Sequence, residues 1–217
     1  MSTVSISVDG RTIQARSDER LLWALLDAGI FVPSLCAIRG LDPPPGGCRL
    51  CFVEVEGQAK PVTSCTQPVF EGMRVRTRSP AVDRLVRSAF ENLLSVHRLD
   101  CKDCPAGKPP GRCALVEIAK KRKIPLRVKR LPKIEPDLPI DESRAELTLD
   151  PNHCVLCGQC VHVCRNEVGK DILCLAHRGL DMRVSTFDGR PLAEQGCGAC
   201  VRCAEVCPVG AIYLRRT

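Results

Sequence analysis

Residues 154–165 read CVLCGQCVHVCR and residues 197–208 read CGACVRCAEVCP: one spacing of four cysteines, used twice with an offset of 43 residues. In C-x2-C-x2-C-x3-C the first three thiolates lie close enough along a tight loop to hold three irons of one cubane cluster. The fourth sits on the helix that follows and points elsewhere. A unit of this length repeated twice points to two halves related by a pseudo-twofold rotation rather than to a solenoid, which needs three or more repeats.

The rest of the composition narrows the setting. Sixteen cysteines in 217 residues would fit a disulfide scaffold in a secreted protein. The opening MSTVSISVDGRTIQA, however, has no apolar signal-peptide core. Metal ligation in a reducing compartment is the expectation, and with it a soluble cytoplasmic protein. The longest apolar stretch, LLWALLDAGIFV, is interrupted by Asp27 and is too short to cross a bilayer. Seven aromatic residues are too few for the stacking platforms of single-strand nucleic-acid binding.

In two-cluster bacterial ferredoxins, the fourth cysteine of each run binds the other run's cluster. Applied here, Cys154, Cys157, Cys160 and Cys207 hold one 4Fe-4S cluster, and Cys164, Cys197, Cys200 and Cys203 hold the second. The alternative, a pair of zinc knuckles, fits less well, because zinc sites usually pair C-x2-C units across a longer gap. Cys207 is followed by Pro208 as in such ferredoxins, whereas the first run has Arg165 at that place.

Three blocks follow from the pattern. Residues 1–78 open with TVSISV, an Asp9-Gly10 turn and RTIQA, a hairpin signature. Asp18 is placed to cap a helix carrying Leu21, Leu22, Leu25 and Leu26, and LCFVEVEG, AKPVTSC and MRVRT supply further strands. Residues 79–145 begin with a helix over Pro80–Val96, with Leu85, Ala89, Leu93 and Val96 on one stripe. A second helix carries Leu115, Ile118 and Ala119, and 124–145 is a proline-dotted linker. Residues 146–217 hold the repeat.

The first block carries Cys36, Cys48, Cys51 and Cys65, one C-x2-C pair among four thiols. This suits a 2Fe-2S rhomb, with a structural zinc as the alternative. Gly46 and Gly47 let backbone N–H groups approach the sulfurs. Eleven residues separate Cys36 from Cys48, where plant-type ferredoxins have four.

That longer gap, GGCRLC, and a helix ending in His-x3-Cys resemble one family. It comprises the iron-sulfur subunits of NADH dehydrogenases, the diaphorase subunits of NAD-reducing hydrogenases, and the N-terminal halves of iron-only hydrogenases and some formate dehydrogenases. The resemblance implies an α+β chain with three parts. They are an N-terminal β-grasp 2Fe-2S ferredoxin-like domain, a small helical domain with a histidine-ligated 4Fe-4S cluster, and a C-terminal two-cluster bacterial ferredoxin-like domain. It also implies that His97, Cys101, Cys104 and Cys113 bind the histidine-ligated cubane, across eight intervening residues between the last two cysteines where the family usually has five. The implied cofactors are one 2Fe-2S and three 4Fe-4S clusters.

Cys174, in DILCLAH, is left over and reads as a buried small apolar residue. His153 and His162 read as local tuners or surface groups, and His177 stands in an HRG that hydrogenase-type diaphorase subunits also show. The formal charge of +7 counts every cysteine as neutral. Oxidised clusters bring roughly −7, leaving the loaded protein near neutral. The basic run KKRKIPLRVKRLPK at 120–133 then reads as a solvated linker or as a face for an acidic partner subunit.

No G-x-G-x-x-G turn and no P-loop is present, and no region is left over for a flavin or a substrate pocket. A wire without terminals needs partners at both ends. The resemblance implies a non-catalytic electron-transfer subunit between a flavin- and NAD-binding diaphorase subunit and hydrogenase small and large subunits, in a hetero-oligomer without nucleic acid or a membrane span. The chain stops ten residues after Cys207, so the catalytic domains that follow this module in iron-only hydrogenases are expected to be absent. Alternatives in the same chemistry are a complex I-like, electron-bifurcating or formate dehydrogenase assembly. In a different class stands a zinc-stabilised nucleic-acid-binding scaffold.

Overall fold

The computed structural model describes residues 2–107, 113–135 and 137–215. It divides into two compact units, residues 1–90 and 91–217.

The first unit is built on a five-stranded sheet in the order β2-β1-β5-β3-β4. β1 (Thr3–Val8) and β2 (Arg11–Arg16) form an antiparallel hairpin in which Val8 faces Arg11. The two residues between them, Asp9 and Gly10, have φ of 48° and 84°, the double left-handed turn whose twist matches that of paired strands. β1 runs parallel to β5 (Arg74–Arg76), and β3 (Phe52–Val55) runs antiparallel to both β5 and β4 (Val62–Thr63). Alternation puts Val4, Ile6 and Val8 of β1, Val53 and Val55 of β3, and Val75 of β5 into one core. Helix α1 (Leu21–Asp27) buries Leu21, Leu22, Ala24 and Leu25 in that core.

Asp18 does not cap α1. The residue at the cap is Arg20, without a side-chain bond to the helix, and the Asp18 carboxylate is taken by the Arg16 guanidinium at 2.9 and 3.1 Å. Helix α2 (Pro80–Val96) starts where expected: Ser79 Oγ accepts from the Val82 N–H, and proline fills the first helical position. Of the expected Leu85, Ala89, Leu93 and Val96, Ala89 alone is buried; the buried stripe is Val82, Val86, Ala89, Phe90 and Leu94. Both sets share the helical period, and bulky Phe90 fixes the phase.

The second unit has little regular structure. Helix α3 (Ala114–Arg122) buries Leu115, Ile118 and Ala119 and ends on Lys123 at φ 55°. Residues 124–135 and 137–145 form no helix or strand beyond a single bridge from Asp141 to Leu149. β6 (Leu147–Leu149) pairs with β9 (Ile212–Leu214), and β7 (Leu173–Ala176) with β8 (Arg183–Thr186). Helices α4 (Gln159–His162) and α5 (Arg202–Glu205) occupy equivalent places in the two cysteine runs. The repeat is therefore one of structure as well as sequence. Among the described residues, no helix is long and apolar enough to cross a membrane.

Candidate metal centres

In the first unit, Cys36, Cys48, Cys51 and Cys65 are all buried, on the loop after α1, at the entry to β3 and just past β4. The Cys48 N–H donates to Cys36 Sγ at 3.3 Å. Hydrogen bonding between the two sulfurs holds Cys36 as the thiol and lowers Cys48 to about 6. The Cys51 and Cys65 pair behaves the same way: the hydrogen bond between them lowers Cys51 and raises Cys65, which also feels Cys36 and Cys48. The Gly47 N–H also stabilises the Cys36 sulfur, as the glycine pair leads one to expect. Gly46, at φ 62°, supplies the left-handed bend before it.

His97, Cys101, Cys104 and Cys113 line a single cavity of about 640 Å³ in the second unit. His97 is buried just past the end of α2, and its Nδ1 lies 2.9 Å from the His153 carbonyl. A carbonyl only accepts, so Nδ1 carries the proton and the Nε2 lone pair is left for a metal. Burial, and then the neighbouring His153, lower His97 to about 4, which keeps the ring neutral. Burial raises the Cys113 thiol. Residues 108–112, which make the gap between Cys104 and Cys113 longer than usual, lie outside the described residues.

Gly210 is a close-approach position. A Cβ there would stand 2.7 Å from Cys104 Sγ, so only glycine lets the backbone pass the sulfur.

The two runs exchange their last cysteines. Cys154, Cys157, Cys160 and Cys207 line one cavity with Val155, Val184 and Ile212. Burial raises Cys154 to about 11 and Cys157 to about 12, and Cys160 higher still. In the other set burial lifts Cys203 to about 12, followed by the charges of Cys197, Cys200 and Cys164. Backbone N–H groups reach several of these sulfurs: Leu156 to Cys154, Ile172 to Cys164 and Ile212 to Cys207, at 3.3–3.4 Å. The buried Arg144 guanidinium donates to the Cys200 carbonyl, and Lys170 Nζ to those of Gly196 and Cys197.

The sulfurs of Cys154, Cys157, Cys160 and Cys203, buried and crowded, hold their protons, because each thiolate would stand poorly solvated beside the next. Iron replaces those protons with positive charge, so donor sets of this kind fit iron-sulfur cores.

Two expectations change. Cys174 lies on β7 but is only partly buried and belongs to none of the four sets. His153 is buried rather than at the surface, with Nδ1 on Asp150 Oδ2 and Nε2 on Asp100 Oδ1, both at 2.7 Å. Burial lowers its pKa, but the two carboxylates outweigh this and raise it. The donor atoms of Asp100, Cys104 and His153 lie within 4.8 Å of one another, a spacing compatible with a metal ion. Hydrogen bonding already accounts for that spacing. Of the other histidines, partly exposed His162 meets Asn166 at 2.9 Å, and His177 is exposed at φ 63°.

Sequence reasoning missed Asp100, Asp150, Arg144, Lys170 and Gly210. Only Gly210 left a trace, as a glycine three positions past a ligand-type cysteine.

Residues 1–80 match the family model for a 2Fe-2S iron-sulfur cluster binding domain, and residues 147–168 that for a 4Fe-4S binding domain. The NADPH-Fe(3+) oxidoreductase subunit alpha of Geobacter sulfurreducens is 36% identical over 214 residues, 96% of this chain and 24% of that protein. The chain thus spans about a quarter of the length of the curated relatives it matches first. The NAD-reducing hydrogenase HoxS subunit gamma of Cupriavidus necator is 26% identical over 99% of this chain and 88% of its own length. A chain from the crystal structure of an NAD+-reducing [NiFe]-hydrogenase in its H2-reduced state superposes with a TM-score of 0.84. It is 30% identical, covering 100% of this chain and 89% of that one.

Proposed function

From the premise that this chain belongs to the iron-sulfur subunit family of NAD-reducing hydrogenase and complex I, we propose that it is an electron relay. It carries electrons between a flavin- and NAD(H)-binding partner subunit and a hydrogenase module, within a cytoplasmic hetero-oligomer. The observation that supports the reading is that His97, Cys101, Cys104 and Cys113 line one cavity and Cys154, Cys157, Cys160 and Cys207 another.

In this reading Cys36, Cys48, Cys51 and Cys65 hold a 2Fe-2S cluster. His97, Cys101, Cys104 and Cys113 hold a 4Fe-4S cluster, and the crossed sets Cys154/Cys157/Cys160/Cys207 and Cys164/Cys197/Cys200/Cys203 hold one each. Three functional parts follow: residues 1–78 of β-grasp type, 79–145 around the histidine-ligated site, and 146–217 as a two-cluster ferredoxin-like domain. The clusters supply reversible one-electron chemistry. The protein's work is to hold them, shield them from water and tune them. Neutral His97 removes one negative charge from its set, which makes that site easier to reduce than an all-thiolate one. The N–H groups of Leu156, Ile172 and Ile212 stabilise the charge on the sulfurs they reach.

The 36% identity to the NADPH-Fe(3+) oxidoreductase subunit supports a second reading, in which the same relay serves a different terminal module. Proteins that co-purify with the chain distinguish the two: a nickel-iron pair supports the first reading. Anaerobic purification with metal analysis and EPR of the reduced protein tests the relay itself. The expected result is a brown protein with about fourteen irons. About six fewer irons, or a colourless protein with about four zinc ions, rejects it.

A further inference from the structure

We propose that His153 is a positioning residue that holds His97 in its metal-binding orientation and ties the loop of Cys101 and Cys104 to the loop that begins at Cys154. The inference rests on the reading of His97, Cys101, Cys104 and Cys113 as ligands of one cluster.

The buried His153 ring is held on both nitrogens, by Asp150 and by Asp100 at 2.7 Å each. Carboxylates accept, so both ring nitrogens donate and the ring cannot turn without breaking two charge-assisted bonds. Asp150 is itself anchored. Its N–H donates to the Ala211 carbonyl at 2.7 Å, and its Oδ1 accepts from the backbone and side chain of Asn152 at 3.0 and 2.8 Å.

From this fixed ring two lines run to the cluster donors. One is the His153 carbonyl, which takes the Nδ1 proton of His97, while the two rings meet edge to face at 5.5 Å. The neighbouring Asn152 carbonyl takes the Arg98 N–H at 3.1 Å, so the residue after His97 is pinned as well. The other is Asp100, directly before Cys101, whose carbonyl accepts from the N–H groups of Asp103 and Cys104 at 2.8 and 3.0 Å. With both nitrogens engaged, His153 is a brace and not a ligand. It also stands directly before Cys154, so a single imidazole sets the register between two donor sets.

The test is pulsed EPR of the reduced full-length protein, reading the 14N coupling that His97 imparts to its cluster. His153→Leu is expected to abolish or shift that coupling, to cost the site about one of its four irons and to disturb the signal of the neighbouring Cys154 set, with those of the Cys36–Cys65 set and of the Cys164/Cys197/Cys200/Cys203 set unchanged. His153→Arg, which can donate to both carboxylates, is expected to restore it. An unchanged coupling and iron content in His153→Leu overturns the proposal. If His153→Leu loses iron from every site, Asp100→Asn decides by the same measurement: a shifted coupling supports the brace, and an unchanged one overturns it. A wild-type spectrum without 14N coupling refutes the ligand reading itself, a distinct failure.

Discussion

The two units of this chain hold themselves together differently. In residues 1–90 the core is valine, leucine and isoleucine from a five-stranded sheet and α1, and the thiols of Cys51 and Cys65 are minor members of it. In residues 91–217 the strands are three or four residues long, and α4 and α5 have four residues each. There Cys164 and Cys203 are core residues, and Cys154, Cys160, Cys197 and Cys207 pack against them. Elements so short cannot bury enough apolar surface to offset the entropy of ordering the chain. In the first unit the cysteines sit at the margin of an apolar core; in the second they make up much of the core itself.

Removing iron should expose this contrast most strongly. Anaerobic chelation is expected to erase hydrogen-exchange protection across β6–β9 and to leave β1, β2 and β5 protected. Equal loss in both units would break the comparison.

Next in size are core truncations. Leu22→Ala, at a fully buried position of α1, should cost about 2–5 kcal/mol in urea unfolding, by the same amount with or without iron. Leu147→Ala, on β6, should show its cost only in the iron-loaded protein. Gly210→Ala is expected to cost about 1–3 kcal/mol by pushing against Cys104 Sγ, and to remove the EPR signal of the His97 set while sparing that of the first unit. The smallest effect belongs to the surface: Arg39→Gln, which breaks an exposed pair with Asp27, should change the first unit's stability by less than about 1 kcal/mol.

The same contrast explains what the sequence made legible. Period-two alternation and the Asp9-Gly10 turn marked the first unit's strands, because there the apolar pattern and the fold are one thing. Ligand spacing marked the two four-cysteine runs of the second unit, likeness to two-cluster ferredoxins suggested the exchange of Cys164 and Cys207, and only a family resemblance pointed to the His97 set. Helical phase was not legible in α2, where leucines and valines occupy two adjacent stripes and only packing chooses between them. Nor was the brace around His97, since Asp100, Asp150 and His153 meet across about fifty residues of chain and carry no local pattern. Cys174 reads like its neighbours in sequence and differs from them only in place.

The exchange of last cysteines between the runs also bears on how the chain is made. A ribosome emits Cys154, Cys157 and Cys160 long before Cys207, so the earlier donor set waits, three-quarters formed, until the second run has emerged. On the crossed reading, a complete donor set in that half requires synthesis past residue 207, whereas the four cysteines at 36–65 stand together in the chain far earlier.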